Sequence, residues 1–373
     1  MKWVFWGGGA LVFYTYVGYP LWLWLRAHWA AAPVLRSECT PSVSLLMVVR
    51  NEDRVLRQKL VNLLQLNYPA EKLEVVVVSD GSTDGTHNIL GEFAAERRLR
   101  WMAHPESRGK AAGLNDGIMA ARGEIVIFTD ARQQIEPDAV RILVQSFADP
   151  DVGCVSGELM LGEPSEGESE KGMGMYWRVE KKIREMESES GSVIGATGAF
   201  YGARRELLTA IPEQIILDDV YIPMSILRQR KRVLFDGRAR AWDVPDQGSK
   251  REFDRKVRTL SGNYQLVQLA PWSLTSANPE RFQFVSHKLM RLLSPFALAA
   301  VLVSSFFLAQ PVYRVALISQ LVLYGLSLMA ISSLALGPLT RLADAALTFV
   351  VLNTAALVAF ANFVTGRKVA WTR

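Results

Sequence analysis

The chain has 373 residues, of which 50% are hydrophobic and 21% are charged. It is too apolar for a wholly soluble protein and too charged for membrane helices alone, so it indicates one soluble domain with several membrane segments. The net charge of +5 is typical of basic flanks beside membrane segments. No basic run is interleaved with aromatic residues, which argues against nucleic acid as a partner.

An uncharged apolar stretch, Trp3–Leu25, lies near the start of the chain. Its length of about 23 residues is enough to span the roughly 30 Å of hydrocarbon in a bilayer. A cleaved signal peptide with a site near Ala30–Ala32 is the alternative, although its apolar core would be shorter. We expect a retained membrane helix over residues 1–27. Arg26 and Arg36 follow it, so the next domain is expected on the cytoplasmic side.

Apolar runs of strand length alternate with helical patterns in the middle of the chain. Strands are predicted over Val43–Val49, Leu73–Val78, Arg98–Ala103 and Glu124–Thr129, and helices over Val55–Leu66, Thr86–Ala95, Gly109–Ala121 and Pro137–Phe147. This alternation indicates an α/β fold whose mostly parallel sheet is covered on both faces. Ligands of such sheets bind beyond the carboxyl ends of the strands, where Asp80 and Asp130 are expected.

Three apolar stretches follow the middle of the chain. They cover about Leu292–Ala309, Val315–Leu336 and Ala345–Val364. We therefore expect a C-terminal transmembrane region over residues 286–366. Lys288 and Arg291 precede the first stretch, which again favours a cytoplasmic domain. With a first span that runs inward, three more spans leave the C-terminus outside, whereas the basic Arg367 and Lys368 favour the inside. Both orientations of the C-terminus stay open.

Seven short motifs follow one another between Pro41 and Pro271. They are PSVSLLMVVRNE, VVVVSDGSTDGT, RGKAAGLNDGI, IVIFTDAR, GATGAFYGARRE, ILDDVYIP and RKVRT. In this order they resemble the family-2 glycosyltransferases with the Rossmann-like GT-A fold. The closest layout is that of the membrane-integrated poly-N-acetylglucosamine, hyaluronan and cellulose synthases. The resemblance implies a GT-A domain over residues 38–272, flanked by one N-terminal and about three C-terminal membrane helices.

The same resemblance implies the activity. It is an inverting transfer of a sugar from a nucleotide donor, expected to be a UDP-sugar, to a saccharide or lipid acceptor. The reaction would serve polysaccharide or glycolipid synthesis at the cytoplasmic face of a membrane, expected to be the bacterial inner membrane.

Three residues match the family's donor-binding positions. Asp80 matches the residue that accepts a hydrogen bond from a uracil N–H, and Glu52 matches one that lines the nucleotide pocket. Lys110, in the first turn of a predicted helix, is placed to face the pyrophosphate. The plainer readings are a turn residue for Asp80, a carboxylate at a helix N-terminus for Glu52 and a solvated lysine for Lys110.

Asp130 matches the first position of the family's D-x-D motif, where carboxylates meet the ribose and a divalent ion. The chain reads Asp130-Ala131-Arg132, so the second carboxylate is missing. We expect Mg²⁺ or Mn²⁺ at Asp130, because Mg²⁺ often binds few protein carboxylates and neutralises charge on a leaving diphosphate. The alternative is that Arg132 partly replaces the ion.

Leu217-Asp218-Asp219 occupies the place of the family's T-E-D motif. By position Asp219 matches the base that takes the proton of the acceptor hydroxyl. Asp218 is the alternative base, and one of the two carboxylates is also suited to cap the helix that follows.

Arg255 and Arg258 match the Q-x-x-R-W motif, with Thr259 in the tryptophan position. Spaced three apart, the arginines share a helix face and are expected to hold the diphosphate. The alternative is a basic interfacial helix that meets membrane lipid headgroups. Thr259 cannot stack beneath an acceptor sugar, which weakens a processive polymer synthase and leaves single transfer open. Gly195–Phe200 matches a loop near the acceptor.

Two other classes of function remain. One is a catalytically silent sugar-nucleotide-binding scaffold subunit, which Arg132 and Thr259 keep open while Asp80, Asp219 and Arg258 argue against it. The other is a glycosidase, which needs two facing carboxylates and no nucleotide pocket. Four spans are few for a pore built by one chain, so export or assembly partners are possible.

Overall fold

Eight strands form one sheet in the order β3-β2-β1-β4-β7-β6-β8-β5. The computed structural model describes residues 1–162, 175–243, 249–332 and 339–367. The strands are β1 Val43–Val49, β2 Leu73–Asp80, β3 Leu99–His104, β4 Ile125–Thr129, β5 Gln134–Ile135, β6 Val152–Leu161, β7 Phe200–Arg204 and β8 Arg232–Asp243. The four strands predicted from the sequence are β1 to β4, with ends that differ by no more than two residues.

The sheet is mixed. The pairs β1–β2, β1–β4 and β2–β3 are all parallel, as predicted. Strand β7 lies between β4 and β6 and is antiparallel to both. Strand β8 is parallel to β6, and β5 is antiparallel to β8. The predicted α/β fold is therefore confirmed, with antiparallel pairing concentrated in the second half.

Helices cover both faces of this sheet. They are α3 Asp53–Leu64, α4 Thr86–Glu92, α5 Lys110–Ala120, α6 Ala139–Val144, α7 Met175–Glu189, α8 Asp218–Arg228 and α9 Ser249–Leu269. In β1, Leu45 and Met47 point to the core formed with α3, α4 and α6, whereas Leu46 and Val48 point to the core formed with α5, α8 and α9. Successive side chains of a strand face opposite sides, so an uninterrupted apolar strand requires a cover on each side.

Apolar helices occupy both ends of the chain. They are α1 Lys2–Phe13, a π-helical turn Tyr14–Gly18, α2 Tyr19–Trp29, α10 Arg281–Gln283, a π-helical turn Phe284–Leu289, α11 Met290–Phe306, α12 Pro311–Ile331 and α13 Thr340–Val364. Among the described residues, three helices are long and apolar enough to cross a membrane: Arg281–Phe306, Pro311–Ile331 and Thr340–Val364. They correspond to the three predicted C-terminal stretches.

The N-terminal helix forms where it was predicted. Residues 2–29 are helical throughout, but this helix is not among those apolar enough to span a membrane. Its glycines and its many tryptophans and tyrosines, whose rings carry a polar N–H or O–H, lower its mean hydropathy. Gly8 allows a close approach to α11, because a Cβ there would lie 3.0 Å from the carbonyl oxygen of Ala297. A membrane role for this helix stays a prediction.

A buried polar cluster joins the N-terminal helix, α7 and the start of the first C-terminal span. The two ring nitrogens of His287 lie 2.9 Å from Glu180 and 2.9 Å from Glu187. Arg291 donates to Glu180 at 2.7 Å, and the Tyr19 hydroxyl donates to Glu187 at 2.6 Å. Buried charges are stable only when paired and hydrogen-bonded, so these contacts fix the three helices relative to one another.

Gly123 provides a test of the packing between β1 and the turn before β4. A Cβ at this position would lie 2.5 Å from the backbone nitrogen of Ser44, and backbone atoms of a central strand cannot move aside. We expect Gly123→Ala to lower the free energy of unfolding by about 1–3 kcal/mol. Thermal unfolding of the detergent-solubilised protein would measure this.

Gly91 supplies the matched control. It lies in α4, and a Cβ there would meet nothing within 4 Å. Gly91→Ala is expected to leave stability unchanged or to raise it by about 0.5–1 kcal/mol, because alanine is favoured over glycine in a helix. Equal destabilisation by both changes would show that the close packing at Gly123 is not what matters.

Candidate active site

Asp80 fixes the loop that precedes α5. Its carboxylate is completely buried and accepts hydrogen bonds from the Ser107 hydroxyl at 2.7 Å and from the backbone N–H groups of Arg108 and Gly109 at 2.8 and 2.9 Å. Gly81 has a φ of 66°, and a Cβ there would clash with the backbone of Ser107. The turn after β2 and the loop before Lys110 are thus one unit, and binding of uracil by Asp80 stays a prediction.

Lys110 lies between two carboxylates that come from distant parts of the chain. Its Nζ is 3.2 Å from Asp130 Oδ1 and 3.3 Å from Asp218 Oδ2. Burial disfavours the ammonium, but Asp130, Asp218 and Asp219 outweigh it and raise the pKa of Lys110 above its usual value. The plainer reading of Lys110 as a solvated surface lysine is therefore wrong.

Asp218 and Asp219, the two residues predicted from the sequence to supply the base, begin α8. Burial and the neighbouring Asp218 raise the pKa of Asp219 to about 6, against the opposing effect of Lys110 and Lys288. A carboxylate with such a pKa is ionised at neutral pH and still basic enough to take a proton.

The Gly195–Phe200 loop packs against Asp219. The backbone N–H of Ala196 donates to the Asp219 carbonyl at 2.7 Å. A Cβ at Gly198 would lie 3.0 Å from Asp219 Oδ2. Small residues in this loop therefore leave room at the carboxylate.

The turn after β4 carries Asp130 and Arg132, which point to different partners. The Asp130 side chain is 41% exposed beside Lys110. Arg132 Nη2 lies 3.2 Å from Asp243 Oδ2, which also accepts a hydrogen bond from Gln133 at 3.0 Å. The guanidinium of Arg132 is thus paired with a buried carboxylate at the end of β8.

The carboxylates near Lys110 are candidate ligands of a divalent ion. Within the described ranges, no three His, Cys, Asp or Glu side chains come together to hold an ion by themselves. Asp130 is exposed enough to accept an ion in addition to Lys110, and Mg²⁺ is commonly bound by one or two carboxylates plus substrate phosphates and water. The donor set therefore fits a site that a diphosphate would complete.

Glu52 lies at the N-terminus of α3 and is 7% exposed. Its backbone N–H donates to the Thr86 hydroxyl at 3.0 Å. The preceding Asn51 has a φ of 55°, and its side-chain oxygen accepts a hydrogen bond from the Thr83 N–H at 2.8 Å. These contacts join the first two motifs into one wall, and the role of Glu52 in the nucleotide pocket stays a prediction.

Helix α9, whose prediction as a helix is correct, runs beside the segment that leads into Asp218. Gln265 accepts a hydrogen bond from the Ile216 N–H at 2.9 Å, and a Cβ at Gly262 would lie 2.6 Å from Leu217 Cγ. Arg255 is exposed and Arg258 is half-buried. Neither forms an ion pair with Asp130, Asp218 or Asp219 in the described structure, so a diphosphate role for them is a proposal for the donor-bound protein.

Two residues of this region were not predicted from the sequence as part of the site. Gln265 is recognised as part of this region only because it accepts a hydrogen bond from the chain just before Asp218. Tyr201, on β7, stacks on Phe128, and its buried hydroxyl has no hydrogen-bond partner in the described structure. Burial together with Asp218 and Asp219 raises the pKa of Tyr201. Strand pairing, which the sequence does not reveal, brings this tyrosine close to the carboxylates.

Comparisons with known proteins agree with this arrangement. The family described as glycosyl transferase family 2 matches residues 44–211. A poly-beta-1,6-N-acetyl-D-glucosamine synthase of Staphylococcus epidermidis is 24% identical over 235 residues, which are 62% of this chain and 57% of that protein. The enzyme of the same name from Staphylococcus aureus strain COL is 23% identical over 229 residues, 60% of this chain and 55% of that protein. The chain thus spans little more than half the length of these relatives.

A solved structure shares the fold over almost the whole chain. It is a mannosyltransferase from Pyrobaculum calidifontis in complex with GDP-Man and Mn²⁺, with a TM-score of 0.73 and 23% sequence identity. The alignment covers 97% of this chain and 99% of that one. The mixed sheet with its apolar C-terminal helices is therefore a GT-A architecture. Residues 44–211 thus match a glycosyl transferase family 2 domain, and the chain is similar in sequence to polysaccharide synthases.

Proposed function

We propose that this protein is a glycosyltransferase that moves a sugar from a nucleoside diphosphate donor to a saccharide or lipid acceptor at the cytoplasmic face of a membrane, with inversion. The observation that carries the proposal is the ammonium of Lys110 between Asp130 and Asp218, the residue that precedes Asp219 in the chain. One cation for a diphosphate and one carboxylate with a raised pKa are the two groups that such a transfer requires.

Each residue has a defined task in this reaction. Lys110 and the N-terminus of α5 bind the diphosphate of the donor. Asp219 removes the proton from the acceptor hydroxyl as its oxygen attacks the anomeric carbon. The bond from that carbon to the diphosphate oxygen breaks, and the nucleoside diphosphate leaves with the electron pair. A single displacement inverts the anomeric configuration.

A divalent ion, Mg²⁺ or Mn²⁺, belongs to the proposal. Asp130 would hold it together with the donor's phosphate oxygens, and its charge would stabilise the departing diphosphate. The Mn²⁺ in the related mannosyltransferase structure and the exposure of Asp130 support this assignment. Arg132 is less suited to replace the ion, since it is paired with Asp243.

The donor is expected to be a UDP-sugar, and the reaction is expected to serve polysaccharide or glycolipid synthesis. The names of the staphylococcal relatives support an N-acetylglucosamine donor, whereas the mannosyltransferase was solved with GDP-Man. Basic residues beside the apolar segments support a cytoplasmic domain in the bacterial inner membrane. Reporter fusions within the domain would test this orientation, and an extracytoplasmic signal would contradict it.

A donor screen tests the function as a whole. The purified full-length protein in lipid nanodiscs is incubated with radiolabelled UDP-N-acetylglucosamine, UDP-glucose, UDP-galactose or GDP-mannose, with added membrane lipid and oligosaccharides. We expect transfer from a UDP-sugar that is lost in excess chelator and in Asp130→Ala, and product sizing separates polymer from single transfer. Transfer from GDP-mannose alone would replace the uridine donor. Nucleotide binding without any turnover would support the scaffold alternative.

The base is tested by Asp219→Asn, which keeps the size of the side chain but cannot accept the proton. Transfer should fall by roughly 10²–10⁴-fold, as is typical when a general base is removed. UDP binding should persist, because the donor contacts come from other residues. Asp218→Asn should instead raise the KM for the donor, since it removes a partner of Lys110. Near-normal transfer by Asp219→Asn would contradict the assignment.

The pH dependence of the rate follows from the same carboxylate. Asp219 must be ionised to act, so the rate should fall as the pH drops through about 6. Lys288 lowers the pKa of Asp219, so Lys288→Met should raise that pKa and move the acid limb of the rate profile to higher pH. Lys182→Met, at an exposed position on α7, is the control and should leave the limb in place. An acid limb that moves to lower pH in Lys288→Met would contradict the expected sign.

A further inference from the structure

A completely buried lysine lies beneath the turn that carries Asp130. Lys59, on α3, is 0% exposed, and its Nζ donates hydrogen bonds to the Thr129 hydroxyl at 2.8 Å and to the Gln133 carbonyl at 2.5 Å. These two acceptors stand on either side of Asp130. The ammonium therefore ties together the two ends of the turn.

Asn62, about one helical turn after Lys59, holds the same segment by further hydrogen bonds. Its amide donates to the Ile135 carbonyl at 2.9 Å and accepts from the Ile135 N–H at 2.9 Å. Residues three apart share a face of a helix, so Lys59 and Asn62 both reach the segment after β4. On the far side, Arg132 and Gln133 are held by Asp243. The turn is thus anchored from α3 and from β8.

A charged side chain such as that of Lys59 is unusual at a completely buried position. Within the described part of the chain, no carboxylate lies within 4 Å of its Nζ. Burial lowers the pKa of Lys59 to about 7, and the carboxylate of Asp130 opposes this shift. A lysine is seldom fully buried without a paired carboxylate, because an ammonium loses its hydration there. If this side chain only filled space in the core, an apolar side chain of similar length would do so without the free-energy cost of burying an ammonium.

An electrostatic role accounts for the lysine. Asp130 forms an ion pair with Lys110 and also interacts electrostatically with Lys59, so two lysines offset its negative charge. An uncompensated carboxylate at this position would repel an incoming diphosphate. Asp130 lies between Thr129 and Gln133 in the chain, so the turn that Lys59 holds determines where its carboxylate lies.

We propose that Lys59 is a positioning residue of the donor site, which fixes the Thr129–Gln133 turn with Asp130 against Lys110 and thereby sets the affinity for the nucleoside diphosphate. The proposal rests on the function proposed above and deepens it. Lys59 does not touch the donor and acts only through Asp130.

The test compares Lys59→Met with wild type in the full chain, using UDP and GDP as probes of binding by calorimetry in the presence of Mg²⁺. We expect the Kd for the bound nucleotide and the KM for the donor to rise about tenfold or more, the size expected when hydrogen bonds from a charged group are lost. The KM for the acceptor and the melting temperature should change little. Lys72→Met is the matched control, because Lys72 is exposed and hydrogen-bonded to Thr40. It should change none of these values.

Thr129 provides a second test that keeps the lysine. Thr129→Val removes the hydroxyl acceptor at nearly constant shape and should weaken nucleotide binding in the same direction, whereas Thr129→Ser should restore it. Unchanged nucleotide affinity in both Lys59→Met and Thr129→Val would overturn the proposal, as would a loss of stability alone. Absence of sugar transfer by a wild-type protein that binds nucleotide would overturn the proposed function instead, and the binding comparison would still decide the role of Lys59.

Discussion

The ion pairs of Lys110 hold the active site together. Asp130 follows β4 and Asp218 begins α8, almost ninety positions later in the chain, yet one ammonium lies within 3.3 Å of a carboxylate oxygen of each. Without this cation, three carboxylates would share a partly buried space and repel one another. Lys110 pairs with Asp130 and Asp218 and opposes the rise in the pKa of Asp219. The charge that organises these carboxylates is also the one that a diphosphate would meet.

The sheet explains how such distant residues come together. Parallel strands β2 and β4 end at the same edge, so the turns after them both face the start of α5. Strand β7 then enters antiparallel beside β4, which brings the Gly195–Phe200 loop next to Asp219. The parallel half thus provides the proposed donor side, and the loop before the first antiparallel strand packs against Asp219, the proposed base.

Local patterns in the sequence were sufficient for part of this picture. The apolar runs of β1, β2 and β4 and the helix that begins at Lys110 have signals within a dozen residues, and all were predicted within narrow limits. The partners of Asp80 lie 27 to 29 positions away in a loop without regular structure, so no spacing rule indicates them. The positions of Tyr201 and Gln265 near the carboxylates likewise depend on the pairing of strands and helices that are distant in the sequence.

Burial of polar groups was hardest to predict. Lys59 reads as one charged position on an amphipathic helix, and nothing nearby in the sequence marks it as buried. No motif marks His287 in the sequence, yet it joins two glutamates because α7 packs against the start of the C-terminal spans. The prediction that the N-terminal helix spans a membrane was based on its lack of charged residues. Its mean hydropathy, however, also depends on how many aromatic and glycine residues it contains.

The polar cluster around Glu187 also defines how this protein can be divided. Its partners Tyr19 and His287 come from opposite ends of the sequence, outside the strands and helices of the sheet. A chain trimmed to that sheet would retain Glu180 and Glu187 on α7 but lose the groups that neutralise them, and it would uncover the apolar surface packed around them. The smallest autonomous piece of this enzyme is therefore expected to include its first helix and the base of its first C-terminal span.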